Sequence, residues 1–104
     1  MQASNASLTA NTSNEVISGM TFAFASFNGC IIEYRIKKGT LVRVGRIMVA
    51  TDGTNVALND SFVETVDSTL VFDAVINGAN VEIRQTNTET GSIVITYQQN
   101  RFLI

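Results

Sequence analysis

A chain of 104 residues holds enough material for one core and too little for two domains. Apolar residues make up 45% and charged residues 15%, and a net charge of −2 supplies no global attraction to nucleic acid or to an anionic membrane. With no histidine and a single cysteine, the chain has no means of building a Cys-His nucleophile, a His-containing zinc site, an imidazole base or an internal disulfide.

The first fourteen residues, MQASNASLTANTSN, are small and polar, with Leu8 the one sizeable aliphatic side chain beyond Met1. Such a segment buries too little surface to offset its ordering entropy, so residues 1–14 are expected to be a flexible polar arm or linker ahead of a β-domain over 15–104. Val16 to Phe27 places Met20, Phe22 and Phe24 in alternation with small residues and predicts the first strand.

Cys30 to Thr51 predicts two strands folded into a hairpin. Ile32, Tyr34 and Ile36 alternate with Glu33, Arg35 and Lys37, the period of a half-buried strand. A three-residue Lys37-Lys38-Gly39 loop with a glycine bulge sets Tyr34 opposite Val42 and Ile32 opposite Val44 on the dry face, and Glu33 opposite Arg43 on the wet one. Beyond Gly45 both Ile47/Val49 and Met48/Ala50 fit an inward phase, and a bulge at Gly45 would reconcile them. Cys30, at the head of an apolar strand, is expected to be a buried, inert thiol.

Asp52-Gly53 signals a turn, followed by short strands at Val56 to Leu58 and Phe62 to Val66 with Asn59-Asp60-Ser61 between them. Leu70 to Ile76 is the next strand. A type II′ turn at Gly78-Ala79 then pairs Ile76 with Val81, Ala74 with Ile83 and Asp73 with Arg84, whereas a turn at Asn77-Gly78 would oppose Asp73 to Glu82. Thr88 to Gly91 turns the chain into Ser92 to Asn100, and the apolar end Arg101 to Ile104 either continues that strand or covers an open end of the core. About eight short strands linked by regular turns predict an all-β fold, an antiparallel β-sandwich or jelly roll.

The chemistry-bearing residues form no recognisable catalytic set. Asp52, Asp60, Glu64, Asp67 and Asp73 are scattered without the spacing of a carboxylate dyad, and Asp52, Asn55 and Asp60 depart from a calcium-loop pattern and are expected to serve turns. No phosphate loop or dinucleotide fingerprint is present. Five of the seven basic residues, Arg35, Lys37, Lys38, Arg43 and Arg46, lie in the hairpin and are expected to form a solvated strand face partly neutralised by Glu33. No catalytic, cofactor-binding or metal-binding residue is assigned, and no cofactor is expected.

One resemblance takes function further. Tyr34-Arg35-Ile36, Arg43-Val44-Gly45, Ile47-Met48-Val49, Asp52-Gly53-Thr54, the run Val56 to Glu64, Gly78-Ala79-Asn80-Val81, Thr86-Asn87-Thr88 and Arg101-Phe102 together resemble a β-domain of tailed-bacteriophage virion proteins. Such domains occur toward the carboxyl end of tail-fibre, appendage and related particle proteins. The resemblance implies a non-enzymatic structural protein of the virion that forms a homo-oligomer, with a trimer favoured, and contacts other virion proteins. It supplies no receptor-site motif. The alternative is a receptor- or carbohydrate-binding module that presents the turns Asp52–Asn55 and Thr88–Gly91 to a host-surface glycan.

Overall fold

The computed structural model describes residues 3–104. Nine strands form two antiparallel sheets, and no helix occurs among the described residues: β1 (Ser4–Leu8), β2 (Thr12–Val16), β3 (Phe22–Ala23), β4 (Phe27–Lys38), β5 (Leu41–Thr51), β6 (Val56–Glu64), β7 (Val71–Asn77), β8 (Asn80–Asn87) and β9 (Ile93–Leu103). One sheet runs β1-β9-β4-β5-β6. In the other, β8 pairs with β7 on one edge, while β2 and β3 pair with successive stretches of β8. The fold is an antiparallel β-sandwich.

Period-two burial explains how the sheets face each other. Inward side chains of β4 (Ile32, Tyr34, Ile36) and β9 (Ile93, Ile95, Tyr97) meet those of β7 and β8 (Phe72, Ala74, Val81, Ile83). Tyr34 and Phe72 touch edge to face across the two sheets, with ring centroids 5.3 Å apart. Cys30 is buried within this core, and loss of solvent around it pushes its thiol up to about 11 against a partial opposing pull from Arg101.

The β7–β8 hairpin has the expected register: Ile76 opposes Val81, Ala74 opposes Ile83 and Asp73 opposes Arg84. Gly78 takes φ +63°, as the first central residue of such a turn requires.

Elsewhere the local readings need correction. The β4–β5 loop is Gly39-Thr40, so Lys38 opposes Leu41, Tyr34 opposes Gly45 and Glu33 opposes Arg46 rather than Arg43. Leu41, Arg43, Ile47 and Val49 are all buried in one unbroken phase, and there is no bulge at Gly45. β6 continues through Asn59-Asp60-Ser61. The stretch Val16 to Phe27 is divided: Val16 closes β2, and Phe22–Ala23 is a separate two-residue strand. The last strand continues to Leu103.

Within the segment expected to be a flexible arm, Ser4–Leu8 pairs with β9 and Thr12–Val16 with β8; Met1 and Gln2 lie outside the described residues. The stabilisation here does not come from apolar area alone. Main-chain ladders need no apolar side chain, Leu8 plugs into the core, and the turn between the strands is held by buried amides. Asn87 Nδ2 donates to the Thr9 carbonyl (3.0 Å) and Gln85 Oε1 (2.6 Å), and Asn87 Oδ1 accepts from the main-chain N–H of Asn11 and of Glu89. Gln85 Nε2 also donates to the Thr9 carbonyl and to Glu15.

Candidate functional site

The inward turn of Arg43 builds the most elaborate side-chain constellation in the chain. Its side chain is 1% exposed, and five polar groups surround it. Nη2 lies 2.6 Å from Asp60 Oδ2, Nη1 donates to the Leu70 carbonyl (2.9 Å) and Ser68 Oγ (3.3 Å), and Nε donates to the Tyr34 hydroxyl (3.1 Å). Glu64 Oε1 stands 3.7 Å from Nη1 and also accepts from Ser68 Oγ. Tyr34 in turn donates to Asp60 Oδ1 at 2.8 Å.

Local sequence explains why this group converges. Tyr34 stands opposite Gly45, which has no side chain to block the phenol, and Asp60 and Glu64 fall on β6 where alternation turns them toward Arg43. The guanidinium lies 3.5 Å from the Phe62 ring centroid and 5.4 Å from that of Phe72, so aromatic faces cover it where hydrogen bonds do not. Burial, followed by the bond to Asp60, raises the Tyr34 phenol above its ordinary value, and Arg43 opposes that shift only in part. The cluster closes the β6–β7 side of the sandwich. Its donors and acceptors bond to one another, which makes it a structural bolt.

The basic residues of the hairpin therefore do not share one surface. Arg35, Lys37 and Arg46 sit at outward positions of the five-stranded sheet, Lys38 lies 3.7 Å from Glu89, and Arg43 is inside. Arg46 pairs with Glu33 at 3.4 Å with both side chains more than half exposed, a contact of little energetic weight.

Asp52 serves its own turn. It accepts the main-chain N–H groups of Asn55 and Thr54, which, with the Asn55 side chain, hold its carboxyl below the usual carboxylate range. Asp60 belongs to the arginine cluster instead, so Asp52, Asn55 and Asp60 form no common cation site. Among the described residues no three His, Cys, Asp or Glu side chains come together as metal ligands.

The turns Asp52–Asn55 and Thr88–Gly91 occupy opposite ends of the sandwich. Asp52–Asn55 follows Ala50, which aligns across β4 with Gly29 and Phe102; Thr88–Gly91 lies beside Lys38 and the Gly39-Thr40 loop. No compact ligand contacts both.

What remains open is the outer face of the five-stranded sheet. Val44 (52% exposed), Met48, Val63 (74%), Val94 and Phe102 all lie on it, next to half-buried Ile31 and Val42. Alternation makes this face, and turn chemistry gives no hint of it. A shallow depression of about 270 Å³ crosses it between Ile31, Met48, Ala57 and Phe102.

No protein-family model matches the chain, and no curated protein matches it. Its fold is similar to part of the crystal structure of the Acinetobacter phage vB_ApiP_P1 tailspike protein, with a TM-score of 0.54 at 14% sequence identity. The alignment covers 99% of this chain and 22% of the tailspike, so the chain spans about a fifth of that protein's length.

Proposed function

We propose that the chain is a non-enzymatic structural domain of a phage tail particle, a β-sandwich that associates with copies of itself and with other virion proteins. The observation that carries this is the outer face of the five-stranded sheet, where large apolar side chains remain in water on a chain of low charge. The sandwich likeness to part of a phage tailspike supports the same setting. A trimer is the favoured assembly, and the domain works without a cofactor.

Light scattering coupled to gel filtration tests it. The expected result is a symmetric oligomer, and a monomer persisting at high concentration overturns self-association. Replacing Met48 and Val63 by lysine should lower the mass to that of the monomer while leaving the circular dichroism of the fold intact. The alternative of a glycan-binding module loses its simplest form, since its two turns lie at opposite ends of the molecule. A glycan array with turn-replaced variants checks each end separately.

A further inference from the structure

Two Asn-Gly pairs occur in the chain, Asn28-Gly29 and Asn77-Gly78, and the fold treats them differently. We propose that Asn77-Gly78 is a site of spontaneous covalent ageing, in which the main-chain nitrogen of Gly78 attacks the Asn77 side-chain amide to form a cyclic imide, while Asn28-Gly29 is protected from the same reaction.

Asn-Gly is the pair in which this attack meets least obstruction, because glycine adds no Cβ beside the attacking nitrogen. The Gly78 nitrogen gives up its proton to solvent base and forms a bond to Asn77 Cγ; the Cγ–Nδ2 bond breaks and ammonia leaves. Water then opens the imide at either carbonyl. Attack at the side-chain carbonyl gives aspartate, and attack at the main-chain carbonyl gives isoaspartate. Asparagine and water become acid and ammonia, with no other reactant.

Surroundings separate the two sites. Gly78 is the first residue of a two-residue hairpin tip, and a Cβ built on it meets nothing within 4 Å. Asn77 is exposed, and its side chain is held by one contact, Nδ2 to Glu82 Oε2 at 3.3 Å. Rotating the Asn77 main chain for attack disturbs the end of one hairpin. Gly29 is buried in β4, paired with Ala50 on one side and Phe102 on the other, and a Cβ there would stand 2.5 Å from the Val49 carbonyl oxygen. Cyclisation at Asn28 has to part buried Gly29 from strands on both sides of β4, at the first pair of the β4–β5 ladder and beside the register shift of the β4–β9 ladder, whereas Asn77 has one hairpin partner to leave.

The product changes the hairpin. A carboxylate at position 77 faces Glu82, whose own carboxyl is held low by Arg84 and stays ionised, so an attractive contact becomes repulsive. Isoaspartate also lengthens the main chain by one methylene at the turn that fixes the β7–β8 register.

The whole folded protein is incubated at mildly alkaline pH, digested with trypsin and read by tandem mass spectrometry. Asn28 falls in the peptide ending at Arg35 and Asn77 in the peptide from Ile47 to Arg84. Asn77 should convert to aspartate and isoaspartate at least about ten-fold faster than Asn28, and the difference should vanish in denaturant, where local opening no longer discriminates. Equal rates in the folded protein overturn the proposal. So does an Asn77 that stays intact when folded and reacts only in denaturant, or one that reacts in neither.

Discussion

Tyr34 stands directly opposite Gly45 across the β4–β5 ladder, and the missing side chain at Gly45 is what admits the phenol to Asp60 and Arg43. A Cβ at position 45 would lie 2.6 Å from the Tyr34 hydroxyl, 2.7 Å from its ring and 2.8 Å from Phe62 Cβ. Gly45→Ala therefore has to displace the phenol or spread β5 from β6. The expected loss is about 1–3 kcal/mol, the scale of overpacking a filled core. Urea unfolding measures it, and an unchanged midpoint would show that the phenol swings aside at no cost.

Arg43 brings one positive charge to the two carboxylates of Asp60 and Glu64 at the closed side of the sandwich. Replacing it by methionine keeps volume and removes every donor. About 3–5 kcal/mol should be lost, the usual consequence of leaving one half of a buried pair behind. Adding Asp60→Asn and Glu64→Gln to that variant should recover part of the loss, because the stranded charges disappear. No recovery would mean that stacking on Phe62 and Phe72, and not charge, is what the guanidinium contributes.

Asn87 ties the β1–β2 turn to the end of β8 through both ends of its amide. Asn87→Asp preserves shape but deletes the two donated bonds, leaving Gln85 Oε1 without its donor and the Thr9 carbonyl with Gln85 Nε2 alone. A cost of about 1–3 kcal/mol is expected. The effect should be local as well: amide hydrogen exchange of Ser4–Leu8 should accelerate more than that of β4. Uniform acceleration along the chain would contradict the tie.

Alkaline stability depends in part on Cys30. Its folded value lies at about 11 against an ordinary 9.0, so the folded state favours the neutral thiol. Stability from this group is intact below 9.0 and falls as pH rises to about 11, since the unfolded chain ionises first; the full difference is about 3 kcal/mol. Cys30→Ala lowers the baseline by removing core volume, yet its stability should decline less steeply across that pH window. Parallel pH profiles for the two proteins would exclude the thiol as the source.

What could be read from the amino-acid order depended on whether polarity and geometry agreed. At β7–β8 they agreed: the glycine turn and the Asp73–Arg84 complement select the same register, and the fold has it. At β4–β5 polarity misled. Placing Arg43 on the wet face required a different loop and a phase change at Gly45, yet Leu41, Arg43, Gly45, Ile47 and Val49 already alternate cleanly if the arginine is allowed inward. Asp60 and Glu64 on β6 were the available signal, two carboxylates at even spacing on a strand with an otherwise half-apolar inward side. Asn59-Asp60-Ser61 reads as a turn in isolation and stays extended because Tyr34 and Arg43 supply Asp60 with donors. The polar first residues form strands for a similar reason, with Gln85 and Asn87 as partners far along the chain. Local propensity contains none of these distant contacts.

β1 is antiparallel to β9, with Ser4 at Tyr97 and β9 running on to Leu103. The start of β1 and the continuation of β9 therefore lie at the same end of their shared ladder, beyond which β9 stays paired with β4 as far as Leu103. Tension drawn between them would load that ladder at its Ser4–Tyr97 pair and open it bond by bond, as a zip, instead of shearing all its bonds at once. Under load β1 would peel away first, and the outer edge of β9 would become the next surface available for pairing.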